Sequence, residues 1–407
     1  MTSMHEHQAC GEGPANGGSR RVGPGGRFAL MVTHCAGMVD LVALPLWVGV
    51  LVAHYRFDPQ QAGALVTMFL AGAVLASVCV APRFERWPTR WLAPALFGCA
   101  AVLFAACSQL RTFTSLAALH AMGGVVAGTA LSATHGTAGR TDRPQRLFGW
   151  MQTALGIFGV AFMAMSPPII AQRGGQALFL ILASAMLAAC VVAALWFPRL
   201  HATQPTRSAS DAARIAWPRH VWYAILGISC MALTQAMVFS FLERMGTDRG
   251  FAAGHIQALL IVLGLVNLIP GALAAVLHRR LNPRLVLQSG AVIQAILAAT
   301  LAFSSSFAAY ALAGSVIVAV MIFSHVFCFG FLAASDPSGR AASATPAMLM
   351  TGGAVGPVLG GTLVKIVGYP GLGFAALIVD LIALWLFSRL AVTSKAARPK
   401  WAAGGAN

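Results

Sequence analysis

Long apolar runs recur along almost the whole sequence and are separated by short polar loops. A helix of about 20 mainly apolar residues spans the roughly 30 Å hydrocarbon core of a bilayer. The pattern therefore predicts an all-α membrane protein with twelve transmembrane helices. Their expected ranges are 28–52, 61–81, 92–110, 114–135, 147–171, 176–196, 220–242, 254–277, 285–303, 307–333, 342–366 and 371–391.

The loops carry an uneven distribution of basic residues. If the N-terminus lies in the cytoplasm, 21 of the 27 Lys and Arg residues fall on the cytoplasmic side. Cytoplasmic loops of membrane proteins are enriched in these residues. We therefore expect both termini in the cytoplasm and a multi-pass location in a bacterial inner membrane.

A Pro-rich basic loop at 197–219 divides six predicted spans from six. It reads as a cytoplasmic linker. The expected domains are a disordered cytoplasmic tail at 1–27, a six-helix bundle at 28–196, the linker, a second six-helix bundle at 220–391 and a cytoplasmic tail at 392–407.

The two predicted bundles share a short motif in the loop after their second span. Arg86 and Arg90 lie four residues apart, and Arg280 and Arg284 repeat this spacing 194 residues later. The same offset carries Asp40 to Thr234. Duplicated halves with a site near the middle of the membrane are typical of transporters.

Composition narrows the functional class. The chain is 58% hydrophobic and 9% charged, and its net charge of +16 comes from cations scattered between apolar runs rather than along one face. This arrangement does not favour nucleic acid as a partner. The sequence lacks nucleotide-binding and hydrolase motifs, so we expect no enzyme activity and an ion gradient as the energy source.

Metal and disulfide sites are also not indicated. Most of the eight cysteines stand singly in apolar runs, where Cys behaves as a small hydrophobic residue. His5, Glu6, His7 and Cys10 could hold a soft metal ion, but a solvated tail is the simpler expectation. We predict no metal and no cofactor.

Asp40 lies near the middle of the first predicted span. A carboxylate at that depth costs roughly 2.5–3.5 kcal/mol on insertion scales, which the apolar neighbours can offset. The acid weakens the span unless it faces protein, water or a ligand. We predict that Asp40 binds and releases a coupling proton.

These features together resemble the major facilitator superfamily, and most closely its bacterial proton-coupled drug and metabolite efflux members. The resemblance covers 28–391 and rests on the six-plus-six spans, the central basic loop, the two Arg loops and a Gly-rich eleventh span. In the family's signature loop, Glu85 and Arg86 stand where an Asp-Arg pair is usual. The resemblance implies an inner gate made of Glu85, Arg86, Arg90, Arg280 and Arg284, in which Glu85 latches onto the start of span eleven. Alternatively, Glu85 is an ordinary interfacial charge.

Two further motifs follow from the resemblance. His120 occupies a position in span four where related antiporters often place Arg; it would either relay protons, since imidazole titrates near neutral pH, or only bond a neighbouring helix. Span eleven carries small residues that would suit a moving interface or simple close packing. These are Gly352, Gly353, Gly356, Pro357, Gly360 and Gly361.

The family's cavity is lined mainly by spans one, four, seven and ten. On these spans we predict His34, Gln235 and His325 as cavity residues, whereas Gln152 and Gln294 read as packing polars and Asp380 receives no role. No cation lies deep in a span, which favours a neutral, cationic or amphiphilic substrate. The expected function is proton-coupled export of a small organic molecule by a monomer in the bilayer. The alternative is a proton symporter that imports an organic acid or another nutrient.

Overall fold

The computed structural model describes residues 22–57, 59–199, 217–336 and 338–390, and every regular element in these ranges is helical. Most of the predicted tails and the centre of the predicted linker lie outside the described residues. The helices are α1 (Pro24–Gly37), α2 (Val39–Ala53), α3 (Pro59–Val80), a 3-10 helix (Ala81–Arg86), α4 (Thr89–Cys107), α5 (Phe113–Gly139), α6 (Pro144–Arg173), α7 (Gln176–Trp196), α8 (Arg219–Phe239), α9 (Leu242–Asp248), α10 (Ala253–Val266), α11 (Ile269–Leu277), α12 (Pro283–Phe303), α13 (Phe307–Ser335), α14 (Arg340–Ser343) and α15 (Thr345–Ser388).

Eleven stretches of the described chain are long and apolar enough to cross a membrane. The last of them, Arg340–Ser388, has 49 residues and covers two predicted spans. It bends at Gly368, whose φ of 76° and ψ of −173° are not helical. Ahead of the bend, Gly352 and Gly356 pack against successive turns of α8, whereas Phe387, after it, meets Gly227 near the start of α8. The chain therefore reverses direction at Gly368.

Two other predicted spans are divided. A break at Met38, with φ −109° and ψ 11°, separates α1 from α2 and puts Asp40 in the first turn of α2. In the eighth predicted span, α10 ends at Val266 and α11 begins at Ile269, with Pro270 in its first turn. Because proline has no backbone N–H and clashes with the carbonyl four residues earlier, it accounts for the second break.

Most helix packing lies within α1–α7 or within α8–α15, which we call the first half and the second half. The main contacts between the halves are those of α6 with α11 and α13, of α3 with α15, and of α5 with α14. The repeated arginines hold equivalent positions in them. Arg90 donates to Ala193 O at 2.6 Å and Ala194 O at 2.8 Å, and Arg284 donates to Ser388 O at 2.7 Å. Each cation thus satisfies carbonyls at the C-terminus of the last helix of its half. These contacts stay within each half, so they do not support a gate role for Arg90 or Arg284.

The halves meet closely at one end of the bundle, which we call the terminal face because α1 begins and α15 ends there. Toward this face, residues 127–139 of α5 and residues 324–333 of α13 are buried on every side. The opposite ends of both helices alternate between buried and exposed positions. The Gln145 side chain packs against Gly330, and Ala342 packs against Gly139, so the halves are pressed together at the terminal face.

Candidate functional site

Three histidines from three helices come together between the halves. His34 of α1 and His135 of α5 belong to the first half, and His325 of α13 belongs to the second. The His34 Nδ1 atom lies 2.9 Å from His135 Nε2, and the His325 ring lies against Phe329, which also contacts His135. All three imidazoles are buried, with exposed fractions of 2%, 0% and 6%.

Two more side chains extend this group into a chain. His325 Nε2 lies 3.2 Å from Gln152 Oε1 of α6, and the Gln152 side chain also lies beside His34. At the other end, His135 Nδ1 lies 2.5 Å from the hydroxyl of Thr345, the first residue of α15. We call these five residues the histidine chain: His325, Gln152, His34, His135 and Thr345. It joins the halves twice, once at each end.

The hydrogen-bond partners assign the tautomers. Thr345 donates its hydroxyl hydrogen to Ala342 O at 2.7 Å, so it accepts from an N–H at His135 Nδ1. His135 Nε2 is then an acceptor and takes its hydrogen from His34 Nδ1. This leaves a lone pair on His34 Nε2, and His325, whose Nε2 atom donates to Gln152 Oε1, keeps a second lone pair on Nδ1; both atoms are buried without a hydrogen-bond partner. The histidine chain can therefore accept a further proton at His34 or at His325.

A proton added at His34 Nε2 would find an acceptor in Gln152 Oε1, because a carbonyl oxygen can accept two hydrogen bonds. Imidazole is also the side chain that titrates near neutral pH. Among the described residues, no group of three His, Cys, Asp or Glu side chains is arranged to hold a metal ion. The histidine chain is suited to hold and pass a proton between the halves.

Asp40 is buried, with 2% of its surface exposed, and neither carboxylate oxygen has a hydrogen-bond partner. It shares one stripe of α2 with the buried residues Ala43 and Trp47. Trp47 packs on Phe69 and Phe104 of the first half. The carboxyl therefore faces the interior of the first half rather than lipid, and it lies apart from the histidine chain.

His120 also lies within the first half. Its Nδ1 atom bonds Leu116 O of its own helix at 2.7 Å, and its ring packs on Trp47 and Phe179. Gln235 of α8 is half-buried, and its Oε1 atom has no partner. Neither residue touches the histidine chain. Their roles in proton coupling and substrate binding stay predictions.

The Gly-rich stretch of α15 has two faces. Gly352, Gly356 and Gly360 pack against α8, where a Cβ on Gly352 would lie 2.5 Å from the carbonyl carbon of Ala232. Gly353 lies on the neighbouring face and looks toward Leu41 and Leu70 of the first half at 3.7 and 3.9 Å from a Cβ. Pro357 is inside the helix, and Gly361 faces Phe241. Close packing thus lies within the second half, and Gly353 faces the first.

The side chains of Glu85 and Arg86 lie outside the described residues. The 3-10 helix that carries them passes beside Gly339, where a Cβ would lie 2.9 Å from Phe84 Cε1, just ahead of α14 and α15. This places its backbone near the start of the predicted span eleven. The latch itself stays a prediction.

In the equivalent loop of the second half, His278 stands near the position of that acid and Arg280 is exposed. Burial lowers the pKa of His278 below its ordinary value, and three nearby arginines act in the same direction. The ring is therefore neutral at pH 7 and cannot form an ion pair there.

A serine contact also joins the halves. Ser77 Oγ of α3 donates to Ser343 O at 3.2 Å and accepts from the backbone N–H of Ala347 at 3.3 Å. Ser132 Oγ of α5 donates to Ser77 Oγ at 3.0 Å. Ser77 therefore caps the N-terminus of α15 from the other half.

Sequence reasoning found two of the five members of the histidine chain, His34 and His325. It did not select His135, which stood at the last position of the predicted fourth span, whereas α5 continues to Gly139 and buries this residue. Gln152 was expected to be a packing residue, but it bonds His325. The available signal was the dense polar run of Ser132, Thr134 and His135 in an apolar helix.

Comparison with known proteins gives the family. The family model of the Major Facilitator Superfamily matches residues 29–345. A search of curated proteins finds no match. Solved structures with the same fold include the E. coli fucose:proton symporter FucP, which is 16% identical over 91% of this chain and 99% of that chain, with a TM-score of 0.71. The human organic anion transporter MFSD10 is 14% identical over 90% of this chain and 100% of that chain, with a TM-score of 0.69. A bacterial homologue of the iron transporter ferroportin, in an outward-facing state, is 13% identical over 90% of this chain and 98% of that chain, with a TM-score of 0.67. At these identities the likeness concerns the fold alone. With the family model covering most of its length, the chain belongs to the Major Facilitator Superfamily, a family of membrane transporters rather than enzymes.

Proposed function

We propose that this protein is a proton-coupled secondary active transporter of a small organic molecule. The observation that carries the proposal is the histidine chain, a buried row of proton-accepting groups that bridges the halves and keeps a free lone pair at His34. A proton bound there changes hydrogen bonds in both halves at once. Secondary transport needs such a link between ion binding and the relative position of the halves.

Topology and location form part of the proposal. We propose that the chain crosses the membrane twelve times, because the reversal at Gly368 divides Arg340–Ser388 into two segments that each approach the length of a span. The excess of Lys and Arg on one side supports cytoplasmic termini. We also propose a place in the inner membrane of a bacterium, because the sequence pattern resembles bacterial members of the superfamily. The terminal face is then the cytoplasmic face. Tight packing there corresponds to a state closed to the cytoplasm.

We propose export of a neutral, cationic or amphiphilic compound, because the described spans hold acids and imidazoles but no deeply placed cation. Import by proton symport is the second candidate. It is favoured by the likeness to FucP, a fucose:proton symporter, which shares the fold over 91% of this chain. Both candidates use the same proton site. They differ in whether the compound moves in the same direction as the proton or in the opposite direction.

A two-step experiment tests the proposal. A growth and resistance screen in cells that lack or overproduce the protein first identifies a transported compound. The purified protein is then reconstituted in liposomes that contain a pH-sensitive dye, and the compound is added outside. Uptake of the compound with entry of protons indicates symport, whereas its uptake with exit of protons indicates antiport.

The matched variants are His34→Asn and His220→Asn. His34→Asn removes the free lone pair at His34 and is expected to uncouple proton movement from compound movement. His220 packs edge-to-face on Phe331 near the terminal face, outside the histidine chain, so His220→Asn is expected to behave as wild type. Compound flux that moves no protons in the wild-type protein would refute the proposed function.

A further inference from the structure

Asp380 is a second buried acid, and the function proposed above does not use it. It lies in the part of α15 that follows Gly368 and is 1% exposed. The opposite side of that segment is open to lipid, with Ile378 and Leu381 exposed by 60% and 61%. Asp380 instead shares the protein-facing stripe with the buried residues Ala376 and Ala383. The carboxyl therefore points into the second half.

Two polar groups lie around this carboxyl. Phe387 meets Gly227 of α8, so two turns further along the antiparallel pair Asp380 lies at the level of Thr234, whose buried hydroxyl also has no hydrogen-bond partner. The register of α12 along α15 brings Gln294 to the same level, because Arg284 meets Ser388 at one end and Ala302 meets Gly373 at the other. Gln294 donates its Nε2 hydrogen to Met231 O at 2.8 Å, which leaves Oε1 without a partner. The three side chains form one polar group inside an apolar bundle.

Within the part of the chain that the structure describes, no cation lies beside the acid. The titratable groups on the two helices packed beside it are Cys230, Tyr223 and His220 of α8, Arg219 at the start of α8, and Arg284 at the start of α12. Cys230 is close to Asp380 but is uncharged as a thiol. Arg284 is bonded to Ser388, about 12 Å further along the helix from Asp380 at 1.5 Å per residue. An ionised carboxylate would stand alone in an apolar core, which is strongly unfavourable.

Hydrogen-bond accounting points to a missing proton donor. Both carboxylate oxygens of Asp380, the Thr234 oxygen and Gln294 Oε1 are buried acceptors without a partner. The only hydrogen among them belongs to the Thr234 hydroxyl. One proton on Asp380 removes the charge and supplies a second donor. Buried polar groups in native proteins almost always have such partners.

The repeat gives this group a counterpart in the first half. Thr234 is the residue 194 positions after Asp40, the same offset that relates Arg90 to Arg284. In the first half this repeat position is the acid Asp40. In the second half it is Thr234, whose hydroxyl lies at the level of Asp380 on another helix. Both halves therefore hold one unpaired carboxyl at matching places.

We propose that Asp380 and Thr234 form a second proton-binding site in the core of the second half, with Gln294 as an additional acceptor. The role of this site in coupling rests on the proposed function, but its proton binding does not. The site binds one proton on the Asp380 carboxyl and releases it as the pH rises. It is separate from the histidine chain, which lies between the halves.

Infrared difference spectroscopy of the purified full-length protein in lipid nanodiscs tests this site directly, with the proton as the only ligand. Spectra are recorded from acid to alkaline pH in H2O and D2O for wild type, Asp380→Asn, Asp380→Glu, Asp40→Asn and Thr234→Val. Asp142→Asn is the matched control, because Asp142 is a partly exposed loop acid. Monodisperse elution is required of each variant. Asp380→Glu keeps a carboxyl if Asp380→Asn does not fold.

In the expected result, wild type shows a protonated-carboxyl band from Asp380 that fades as the pH rises. Asp380→Asn abolishes this band, Asp380→Glu restores one at a shifted position, and Thr234→Val shifts it because a hydrogen bond is lost. Asp40→Asn and Asp142→Asn leave it in place.

Three results would overturn the proposal. The first is a wild-type spectrum that Asp380→Asn leaves unchanged. The second is an Asp380 band that stays constant at every pH, which would mark a permanently protonated structural acid. The third is loss of the band when NaCl replaces KCl at fixed pH, which would mark a sodium site. If the band titrates but liposome flux moves no protons, the proposed function fails and this site stands.

Discussion

The two halves share a scaffold but not their chemistry. Arg90 and Arg284 hold the last helix of their halves in the same way, 194 residues apart. The buried acids differ in the helix that carries them, because Asp40 lies on α2, in the first predicted span of its half, and Asp380 lies on α15, in the last predicted span of the other. The repeat therefore preserves the contacts that position helices, while the helix that supplies the buried acid differs between the halves.

The histidine chain departs further from the repeat. Two of its imidazoles come from the first half and one from the second, so a proton there is held mainly by the first half. A proton bound at His34 would alter hydrogen bonds that reach the second half by two routes, through Gln152 to His325 and through His135 to Thr345.

The largest expected effect concerns the closest helix contacts. A Cβ at Gly124 of α5 would overlap the backbone of Phe69 in α3, so Gly124→Ala forces two helices of the first half apart. We expect a loss of about 3 kcal/mol or more in stability, seen as loss of monodisperse protein in fluorescence-detected size-exclusion chromatography. Gly63→Ala is the control, because nothing lies within 4 Å of its Cβ.

The matching change in the second half is Gly352→Ala, where a Cβ would lie 2.5 Å from the carbonyl carbon of Ala232. We expect a similar loss, because the obstacle is again backbone. Normal expression of either variant would show that its half tolerates separation of these helices. It would contradict the expectation that the two halves depend equally on close helix contacts.

The second prediction compares a substitution in the histidine chain with one in the interior of the first half. His135→Asn leaves the buried partners His34 and Thr345 unpaired, a cost of about 1–3 kcal/mol, or roughly tenfold in proton-coupled transport. His120→Asn affects a bond within its own helix and is expected to change transport less than about twofold. The measurement is liposome flux of the compound found in the screen. If His120→Asn lowered transport more than His135→Asn, the coupling site would instead lie around His120 and Trp47.

The third prediction compares the repeated arginines. Arg90 bonds carbonyls at 2.6 and 2.8 Å, whereas Arg284 bonds one at 2.7 Å. Hydrogen bonds to charged groups are worth about 1.5–3 kcal/mol, less when partly exposed. We expect Arg90→Ala to lower the melting temperature more than Arg284→Ala, with the Lys variants between them and wild type. Equal or reversed shifts would mean that the extra contact of Arg90 adds no stability.

The smallest effect is expected at the serine contact. Ser77→Ala removes the cap on Ala347 and the bond to Ser343, worth about 1 kcal/mol, so the population separated at the terminal face rises roughly fivefold. Double electron–electron resonance between spin labels at Arg83 and Arg279 measures this separation. Ser108→Ala is the control, since Ser108 Oγ bonds only Ala105 O of the preceding turn and the side chain of the adjacent Gln109, both within the first half. An unchanged distance distribution would exclude Ser77 from the closure.

Much of the fold could be predicted because the bilayer constrains it. The expected sixth span, 176–196, agrees with α7 at both ends, and most other ends lie within a few residues of the structure. The repeat was visible in the arginine spacing because those loops follow equivalent spans. The number of spans stays a prediction: the sequence predicts twelve, and the described residues contain eleven long apolar stretches, the last of which covers two predicted spans on either side of the bend at Gly368.

Hydropathy by itself determined a polytopic helical membrane protein with repeated halves, because the cost of burying polar backbone in lipid leaves few other solutions. Only the tertiary structure decided which polar residues meet. His34 bonds His135 across 101 residues of sequence, and Asp380 turns toward Thr234 from a segment that is apolar on all its other faces. Such pairs depend on the rotation and register of each helix, which many small packing contacts set together and no local pattern records.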